Sequence, residues 1–234
     1  MTHVILQADS LTQQYGSTRA LDSLSLGIVE GTSTAIMGAS GSGKTTLLHM
    51  LAGILTPGSG TVTYAGKPIS GLPDSERSRL RREQFGFVFQ QGLLIPELTA
   101  VENVALAPML NGAKKSDAIG PAAQWLQALG LAGMEERRIG QLSGGQAQRV
   151  AIARAQVTGA RVIFADEPTG ALDSNTSQEV MTALLSSTSG NGRTLVVVTH
   201  DPGVAARCQR VVTLSDGRIV ADTAHAQGSN GTQS

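Results

Sequence analysis

The chain has 234 residues, 41% hydrophobic and 15% charged, which is enough to bury the core of one domain with an inserted sub-domain. Its 18 lysine and arginine residues balance 18 aspartate and glutamate residues, so the composition lacks a basic nucleic-acid footprint and we expect no nucleic-acid partner. A single cysteine, Cys208, excludes an internal disulfide and is typical of a reducing compartment.

The N-terminal region is predicted to form antiparallel strands. Residues 4–11 and 20–28 have strand character around a turn at Gly16-Ser17, where Tyr15 also stands. Tyr15 offers an aromatic face for adenine, although spacing alone favours a packing or turn role. Residues 1–4 lack the pattern of a signal peptide, and no apolar run approaches the roughly 20 residues that span a bilayer. We therefore expect a soluble, cytoplasmic protein.

A glycine-rich sequence follows the strand predicted at residues 32–37. Gly38-Ala39-Ser40-Gly41-Ser42-Gly43-Lys44-Thr45, here called the phosphate loop, fits G-x-x-x-x-G-K-[ST], and a helical sequence continues from Thr46. Its backbone N–H groups and the following helix N-terminus suit a polyphosphate, so the loop and Thr46 are predicted to bind the nucleotide. Lys44 is predicted to reach the β- and γ-phosphates and Thr45 to bind Mg²⁺. The alternative is an ordinary Gly/Ser-rich turn, which the flanking strand and helix disfavour.

A helix-rich block interrupts the alternation of strands and helices. Before it, we predict a strand at residues 61–64, a polar helix at 76–82 and a buried strand at 85–89 that ends at Gln90. The block at residues 90–157 is predicted to be an inserted helical sub-domain.

Three helices are predicted within this block. Thr99 and Glu102 have the spacing of a capping box, residues 117–129 show helical periodicity, and a long helix starts at Ser143.

Two apolar strands after the block end in polar side chains. Asp166 and Glu167 follow residues 161–165, and His200 follows the strand at 195–198. Ligands of open α/β sheets bind at the carboxyl ends of the parallel strands. We therefore predict that Asp166 holds Mg²⁺, that Glu167 polarises the attacking water and that His200 senses the γ-phosphate. The alternatives are structural roles. Asp166 and Glu167 would be two acidic residues at the start of a helix, and His200 would be a histidine at the end of a strand.

The nucleotide and the domain boundary are also predicted. The Asn-Lys-x-Asp element of guanine-specific enzymes does not occur in the sequence, which favours ATP. The folded domain is expected to span residues 1–222, because residues 223–234 are rich in Gly, Ser, Asn and Gln and resemble a disordered tail.

The combined motifs resemble the nucleotide-binding subunits of ABC transporters. Leu142-Ser143-Gly144-Gly145-Gln146, here called the signature segment, resembles the family signature, although Ser143 and Gln146 alone would be an ordinary capping box. The resemblance extends over residues 4–221. It implies an α/β P-loop NTPase fold: a RecA-like core with a mainly parallel sheet, an N-terminal antiparallel β sub-domain and an inserted helical sub-domain.

The resemblance also implies roles for individual residues. Tyr15 matches the aromatic residue that stacks on adenine, and Gln90 matches the glutamine that links the helical sub-domain to Mg²⁺. Asp173 belongs to a loop that crosses a dimer interface, and His200 matches the switch histidine. The signature segment matches the residues that contact the ATP of the opposite subunit: Ser143, Gly144, Gly145 and Gln146.

One group within the family is most similar to the chain, namely the ATPases of macrolide export, lipoprotein release and the cell-division permease. This implies a homodimer with two ATP molecules at its interface, located peripherally on the inner face of the cell membrane and powering a separate integral membrane permease. Ala147 replaces a usual Gln, and Gln156 replaces a usual apolar residue.

Three other functions remain as alternatives. The first is mechanical signalling through a permease that transports nothing. A soluble ABC-type ATPase acting on DNA or ribosomes usually has coiled coils, zinc-binding cysteines or a duplicated ATPase, which this sequence lacks. A small-molecule kinase would not need the signature segment.

Overall fold

The computed structural model describes residues 3–226. Within them the chain divides into two compact units, one formed by residues 3–77 and 196–226 and the other by Ser78–Leu195. The strands are β1 (Val4–Tyr15), β2 (Thr18–Val29), β3 (Ser33–Met37), β4 (Ser59–Tyr64), β5 (Lys67–Pro68), β6 (Phe85–Phe89), β7 (Val162–Asp166), β8 (Thr194–Thr199), β9 (Arg210–Ser215) and β10 (Arg218–Asp222). The α-helices are α1 (Lys44–Leu51), α2 (Asp74–Gln84), α3 (Ala100–Leu110), α4 (Lys115–Ala128), α5 (Gly144–Gln156), α6 (Ser174–Ser187), α7 (Pro202–Ala205) and α8 (Thr223–Ala226).

The first unit contains the predicted antiparallel β region. Its strands lie in the order β2-β1-β4-β5, and apolar side chains of β1 such as Leu6 and Ala8 are fully buried. Strand β1 continues beyond Leu11 to Tyr15, whose backbone pairs with Thr18. Tyr15 therefore ends a strand and does not stand in the turn as predicted, because hairpin pairing continues through the polar residues that follow Leu11.

The same unit contains the strand that leads into the phosphate loop. Strand β3 pairs in parallel with β9, β10 pairs antiparallel with β9, and β8 is the neighbour of β3 on its other side. Every residue of β8 is buried, as expected of a strand covered on both faces. The apolar side chains Leu47, Leu48 and Leu51 of α1 are buried as well.

The second unit contains a parallel strand pair and the predicted helical block. Strands β6 and β7 pair from Phe85↔Val162 to Phe89↔Asp166. The ring of Phe164 contacts those of Phe85 and Phe87, with ring centroids 5.3 and 5.7 Å apart. Gln90 and Glu167 each follow the last paired residue of their strand. This register therefore places both at the carboxyl end of the strand pair.

The local helix signals of the sequence are confirmed in this unit. Thr99 and Glu102 form the predicted capping box of α3, and Ser143 and Gln146 form that of α5. Each box satisfies backbone N–H groups that a helix cannot pair internally.

Two further observations concern the termini and the length of the helices. The tail was predicted from Thr223; helix α8 occupies Thr223–Ala226, and residues 227–234 lie outside the described residues. Within residues 3–226, no helix is both long enough and apolar enough to traverse a lipid bilayer.

Candidate nucleotide-binding site

The backbone of the phosphate loop approaches its neighbours so closely that two positions have no room for a side chain. A Cβ atom at Gly38 would overlap the carbonyl oxygen of Leu214 and Oγ of Ser42. A Cβ atom at Gly43 would overlap the carbonyl oxygen of Ala20, and the φ of Gly43 is +98°. Glycine is therefore required at these positions by local geometry as well as by any ligand.

Lys44 fits a site for an anion. It is 8% exposed, and its Nζ donates hydrogen bonds to the carbonyl oxygens of Gly38 and Ala39 at 2.9 and 2.8 Å. These bonds use two of the three ammonium donors, which leaves the third for an oxygen atom of a bound group.

Two further features of the loop fit a phosphate. The buried Oγ of Ser42 has no hydrogen-bond partner, which is unusual for a buried hydroxyl. Helix α1 has Gly43 as its N-cap, so no side chain caps the N–H groups of its first turn. These groups and the positive end of the helix dipole would favour phosphate oxygens.

The remaining predicted residues of the first unit lie on three elements. Thr45 is exposed and Thr46 half-buried in the first turn of α1. Tyr15, at the end of β1, is 49% exposed, so its ring is accessible to a ligand. His200 is exposed and directly follows β8, the neighbour of the strand that leads into the phosphate loop.

Within the second unit, the structure brings Gln90 to the segment after Asp166. A Cβ atom at Gly170 would lie only 2.8 Å from Nε2 of Gln90, so the glutamine side chain lies directly against this glycine. Glu167 has a φ of +47°, a left-handed conformation that is costly for a residue with a side chain. The N–H of Gly170 donates to the carbonyl oxygen of Glu167 at 3.1 Å and closes the turn.

The start of the signature helix α5 is held by its capping box. Oγ of Ser143 accepts a hydrogen bond from the N–H of Gln146 at 3.2 Å, and Oε1 of Gln146 accepts one from the N–H of Ser143 at 2.9 Å. The N–H groups of Gly144 and Gly145 belong to the first turn, where the helix offers no acceptor. The arrangement therefore suits an anion at this helix terminus.

The signature segment packs against the segment that carries Asp173. A Cβ atom at Gly144 would lie 3.1 Å from Cδ2 of Leu172, and one at Gly145 would overlap Cγ2 of Thr176. Asp173 is the N-cap of α6 and accepts hydrogen bonds from the N–H groups of Thr176 and Asn175 at 3.0 and 3.1 Å. Bonds from the side chain and backbone of Thr176 hold the pKa of Asp173 below its ordinary value.

Replacing Gly145 with alanine is expected to lower the free energy of unfolding by about 1–3 kcal/mol, because the new methyl group forces α5 and α6 apart. The additional change Thr176→Ser removes the Cγ2 methyl group and keeps the hydroxyl, so the double variant should recover most of the loss. Urea unfolding of the three proteins measures both effects. Equal stability of the single and double variants would show that this contact does not limit the approach of the helices.

Gln156, one of the departures from the family pattern, has a structural partner. It is fully buried, its Nε2 donates to Oγ of Ser187 at 3.2 Å, and its side-chain and backbone oxygens accept hydrogen bonds from Arg193. The guanidinium of Arg193 lies 5.3 Å from the centroid of the Trp125 ring. A polar residue at position 156 therefore satisfies the guanidinium of the half-buried Arg193.

Gln156→Leu is expected to lower the free energy of unfolding by about 1–3 kcal/mol, since Arg193 loses its side-chain acceptor. Adding Arg193→Met should cost less than the same change in the wild type, because the stranded charge is removed. A double-mutant cycle by chemical denaturation measures this coupling. Strictly additive losses would contradict the dependence of one residue on the other.

Gln148 and Arg154 were not singled out from the sequence. Both belong to α5, and both hydrogen-bond to backbone carbonyl groups of the segment that contains Gln90. A local signal exists, since Gln148 is a polar residue among buried positions of the helix, but the sequence does not identify its partner.

The predicted magnesium ligands are few. Within residues 3–226, no group of three or more His, Cys, Asp or Glu side chains could hold a metal ion. Thr45, Gln90 and Asp166 provide one hydroxyl, one amide and one carboxylate. Oxygen donors of these kinds suit Mg²⁺, which usually takes one or two protein ligands and completes its shell with phosphate oxygens and water.

Known proteins that are similar to this chain are ATP-binding proteins of ABC transporters. A model of the ABC transporter family matches residues 21–170. The macrolide export ATP-binding/permease protein MacB 1/2 of Paracoccus denitrificans is 49% identical over 207 residues, which are 88% of this chain and 31% of that protein. The lipoprotein-releasing system ATP-binding protein LolD of Geobacter metallireducens is 45% identical over 222 residues, 93% of this chain and 99% of that protein.

A solved structure shows the same fold. The dimeric, post-hydrolysis ATP-binding cassette MJ0796, bound to ADP and Pi, has a TM-score of 0.84 and 38% identity, covering 93% of this chain and 97% of that chain. The predicted α/β P-loop NTPase fold is thereby confirmed. The chain spans about a third of the length of the macrolide-export relatives and nearly all of the lipoprotein-releasing one.

Proposed function

Because the chain belongs to the ABC transporter family, we propose that it is the ATP-binding and ATP-hydrolysing subunit of an ABC transporter. The observation that carries this proposal is the phosphate loop. Nζ of the buried Lys44 donates hydrogen bonds to two backbone carbonyl groups of this loop. The uncapped start of α1 and the unpaired hydroxyl of Ser42 lie beside the loop. These groups favour a polyphosphate.

The nucleotide would be held by the residues predicted from the sequence. Tyr15 would stack on adenine, and the loop from Gly38 to Thr46 would bind the phosphates through backbone N–H groups and Lys44. Thr45, Gln90 and Asp166 would hold Mg²⁺, which supplies positive charge against the phosphate oxygens. Because no Asn-Lys-x-Asp element occurs in the sequence, ATP is preferred over GTP.

Hydrolysis would use Glu167 as the general base. Its carboxylate takes a proton from water as the water oxygen bonds to the γ-phosphorus, and the bond from that phosphorus to the β–γ bridging oxygen breaks. ADP leaves with the bridging oxygen. Lys44 stabilises charge on the phosphate oxygens, and His200 contacts the γ-phosphate and orients it.

Closure of a homodimer would couple this chemistry to a partner. In our proposal, two copies pair head to tail, and Ser143, Gly144, Gly145 and Gln146 of each copy approach the ATP held by the phosphate loop of the other. Asp173 and its neighbours cross the interface. The packing of Gly144 and Gly145 against the Leu172–Thr176 segment supports joint movement of these two regions.

The partner would be a separate integral membrane permease of the export or extrusion type, with the chain bound to the cytoplasmic face of the membrane. The names of the macrolide-export and lipoprotein-releasing relatives support this class. Mechanical signalling through a non-transporting permease would use the same ATP chemistry.

Two experiments test the proposal. The purified protein should release phosphate from Mg-ATP, and Lys44→Ala should lose both hydrolysis and direct ATP binding; tight ATP binding by this variant would contradict the role of the loop. Tagged Glu167→Gln protein, held in Mg-ATP, should recover a permease from detergent-solubilised membranes of the source cell. Recovery of ribosomes or nucleic acid without a membrane protein would support the soluble alternative.

A further inference from the structure

The turn that carries Gln90 is attached to helix α5 at three carbonyl groups. This segment, Phe89–Leu93, is called the glutamine turn here. Nε2 of Gln148, a side chain only 3% exposed, donates to the carbonyl oxygen of Phe89 at 2.9 Å. The guanidinium of Arg154 donates to the carbonyl oxygens of Gly92 and Leu93, each at 2.7 Å.

Arg154 is a half-buried cation whose hydrogen bonds go to backbone carbonyl groups. Within the described residues it has no carboxylate partner, and the two backbone carbonyl groups are its only hydrogen-bond acceptors. Burial lowers the pKa of its guanidinium. Removing a charge from water is costly unless hydrogen bonds satisfy it, so separation of the turn from α5 would leave the half-buried guanidinium without its acceptors.

The backbone of the glutamine turn depends on this attachment. Gly92 and Leu93 have φ values of +68° and +46°, and the N–H of Gly92 donates to the carbonyl oxygen of Phe89 at 2.9 Å. The left-handed conformation of Leu93 is costly and persists only where its surroundings impose it. Leu93 is 59% exposed, so the packing of its side chain contributes little of this constraint, and the hydrogen bond from Arg154 to its carbonyl oxygen contributes to it.

We propose that Gln148 and Arg154 are positioning residues that fix Gln90 relative to the signature segment. Helix α5 begins directly after Ser143 and continues without interruption past Arg154, so it connects the two regions as one rigid element. A shift of the signature segment is thereby transmitted to Gln90. This inference rests on the proposed function, in which both regions contact ATP or its metal ion.

Enzyme kinetics in two backgrounds tests the proposal. In the wild type, Arg154→Met and Gln148→Leu should each lower kcat for ATP hydrolysis about 10- to 100-fold, because Gln90 is misplaced. The KM for ATP should change less than about threefold, because the phosphate loop is untouched. In a Gln90→Ala background the same substitutions should lower kcat no further, since no glutamine remains to be positioned.

Arg149→Met is the matched control. Arg149 belongs to the same helix, but its guanidinium contacts Oε2 of Glu179 at 3.3 Å and makes no hydrogen bond to the turn. This variant should keep a kcat close to that of the wild type. Equal fold-losses for Arg154→Met in both backgrounds would overturn the proposal, because a purely structural role does not depend on Gln90.

Hydrogen exchange provides a readout that does not require activity. Amide exchange in peptides covering the glutamine turn should accelerate in Arg154→Met and not in Arg149→Met. Unchanged exchange in Arg154→Met would contradict the proposal that Arg154 holds the turn against α5. If the wild type fails to hydrolyse ATP, the proposed function is wrong, whereas exchange still decides whether Arg154 holds the turn. Hydrolysis without dependence on Gln90 contradicts this inference alone.

Discussion

Glu167→Gln should lower the rate of ATP hydrolysis by about 100- to 10,000-fold while leaving ATP binding intact. Glutamine has the shape of glutamate but cannot accept the proton of the attacking water. Residue 167 is half-buried, and its φ of +47° is fixed by the turn to Gly170, so the amide should occupy the place of the carboxylate. Phosphate release and equilibrium binding of ATP measure the two effects separately.

Glu179→Gln is the control for this experiment, because Glu179 belongs to α6 and its side chain is 66% exposed. It should hydrolyse ATP at the wild-type rate. If Glu167→Gln also did so, Glu167 would not be the general base. Loss of ATP binding in Glu167→Gln would instead indicate that the substitution distorts the strained turn.

Gly43→Ala should abolish ATP binding and lower the free energy of unfolding by about 2–6 kcal/mol, since backbone strain and overlap each cost about 1–3 kcal/mol. The added methyl group would overlap the carbonyl oxygen of Ala20 and lie 3.0 Å from Cδ2 of Leu21. A backbone oxygen within β2 cannot move away as the end of a flexible side chain can. Thermal unfolding and nucleotide titration measure the result.

Gly41→Ala separates overlap from backbone strain. Gly41 has a φ of +81°, but no atom lies within 4 Å of the position of an added Cβ. Only the left-handed backbone opposes this substitution, so the expected loss is about 1–2 kcal/mol. Equal destabilisation by the two changes would show that the close approach of Gly43 to β2 is not what requires glycine there.

The elements and motifs predicted from the sequence depend on local signals. Strands β7 and β8 are continuous apolar runs, the capping boxes at Thr99 and Ser143 connect residues three positions apart, and the phosphate loop occupies eight consecutive positions. Each of these patterns lies within a few consecutive residues, and the physical cause of the structure that it predicts lies in the same residues. Together these patterns predicted the α/β fold and the candidate site residues, and they carried the resemblance to the ABC transporter family.

Tertiary structure decided the contacts that connect these motifs. Tyr15 became a strand end through cross-strand pairing, and Gly145 is needed because Thr176, 31 residues later, packs against it. Gln148 and Arg154 bind carbonyl groups about 60 residues away along the chain. Every residue has such a carbonyl group, so no side-chain pattern can identify the acceptor. The sequence alone thus determined which chemistry the chain contains, whereas only the folded backbone determined how Gln90 is held beside the signature helix.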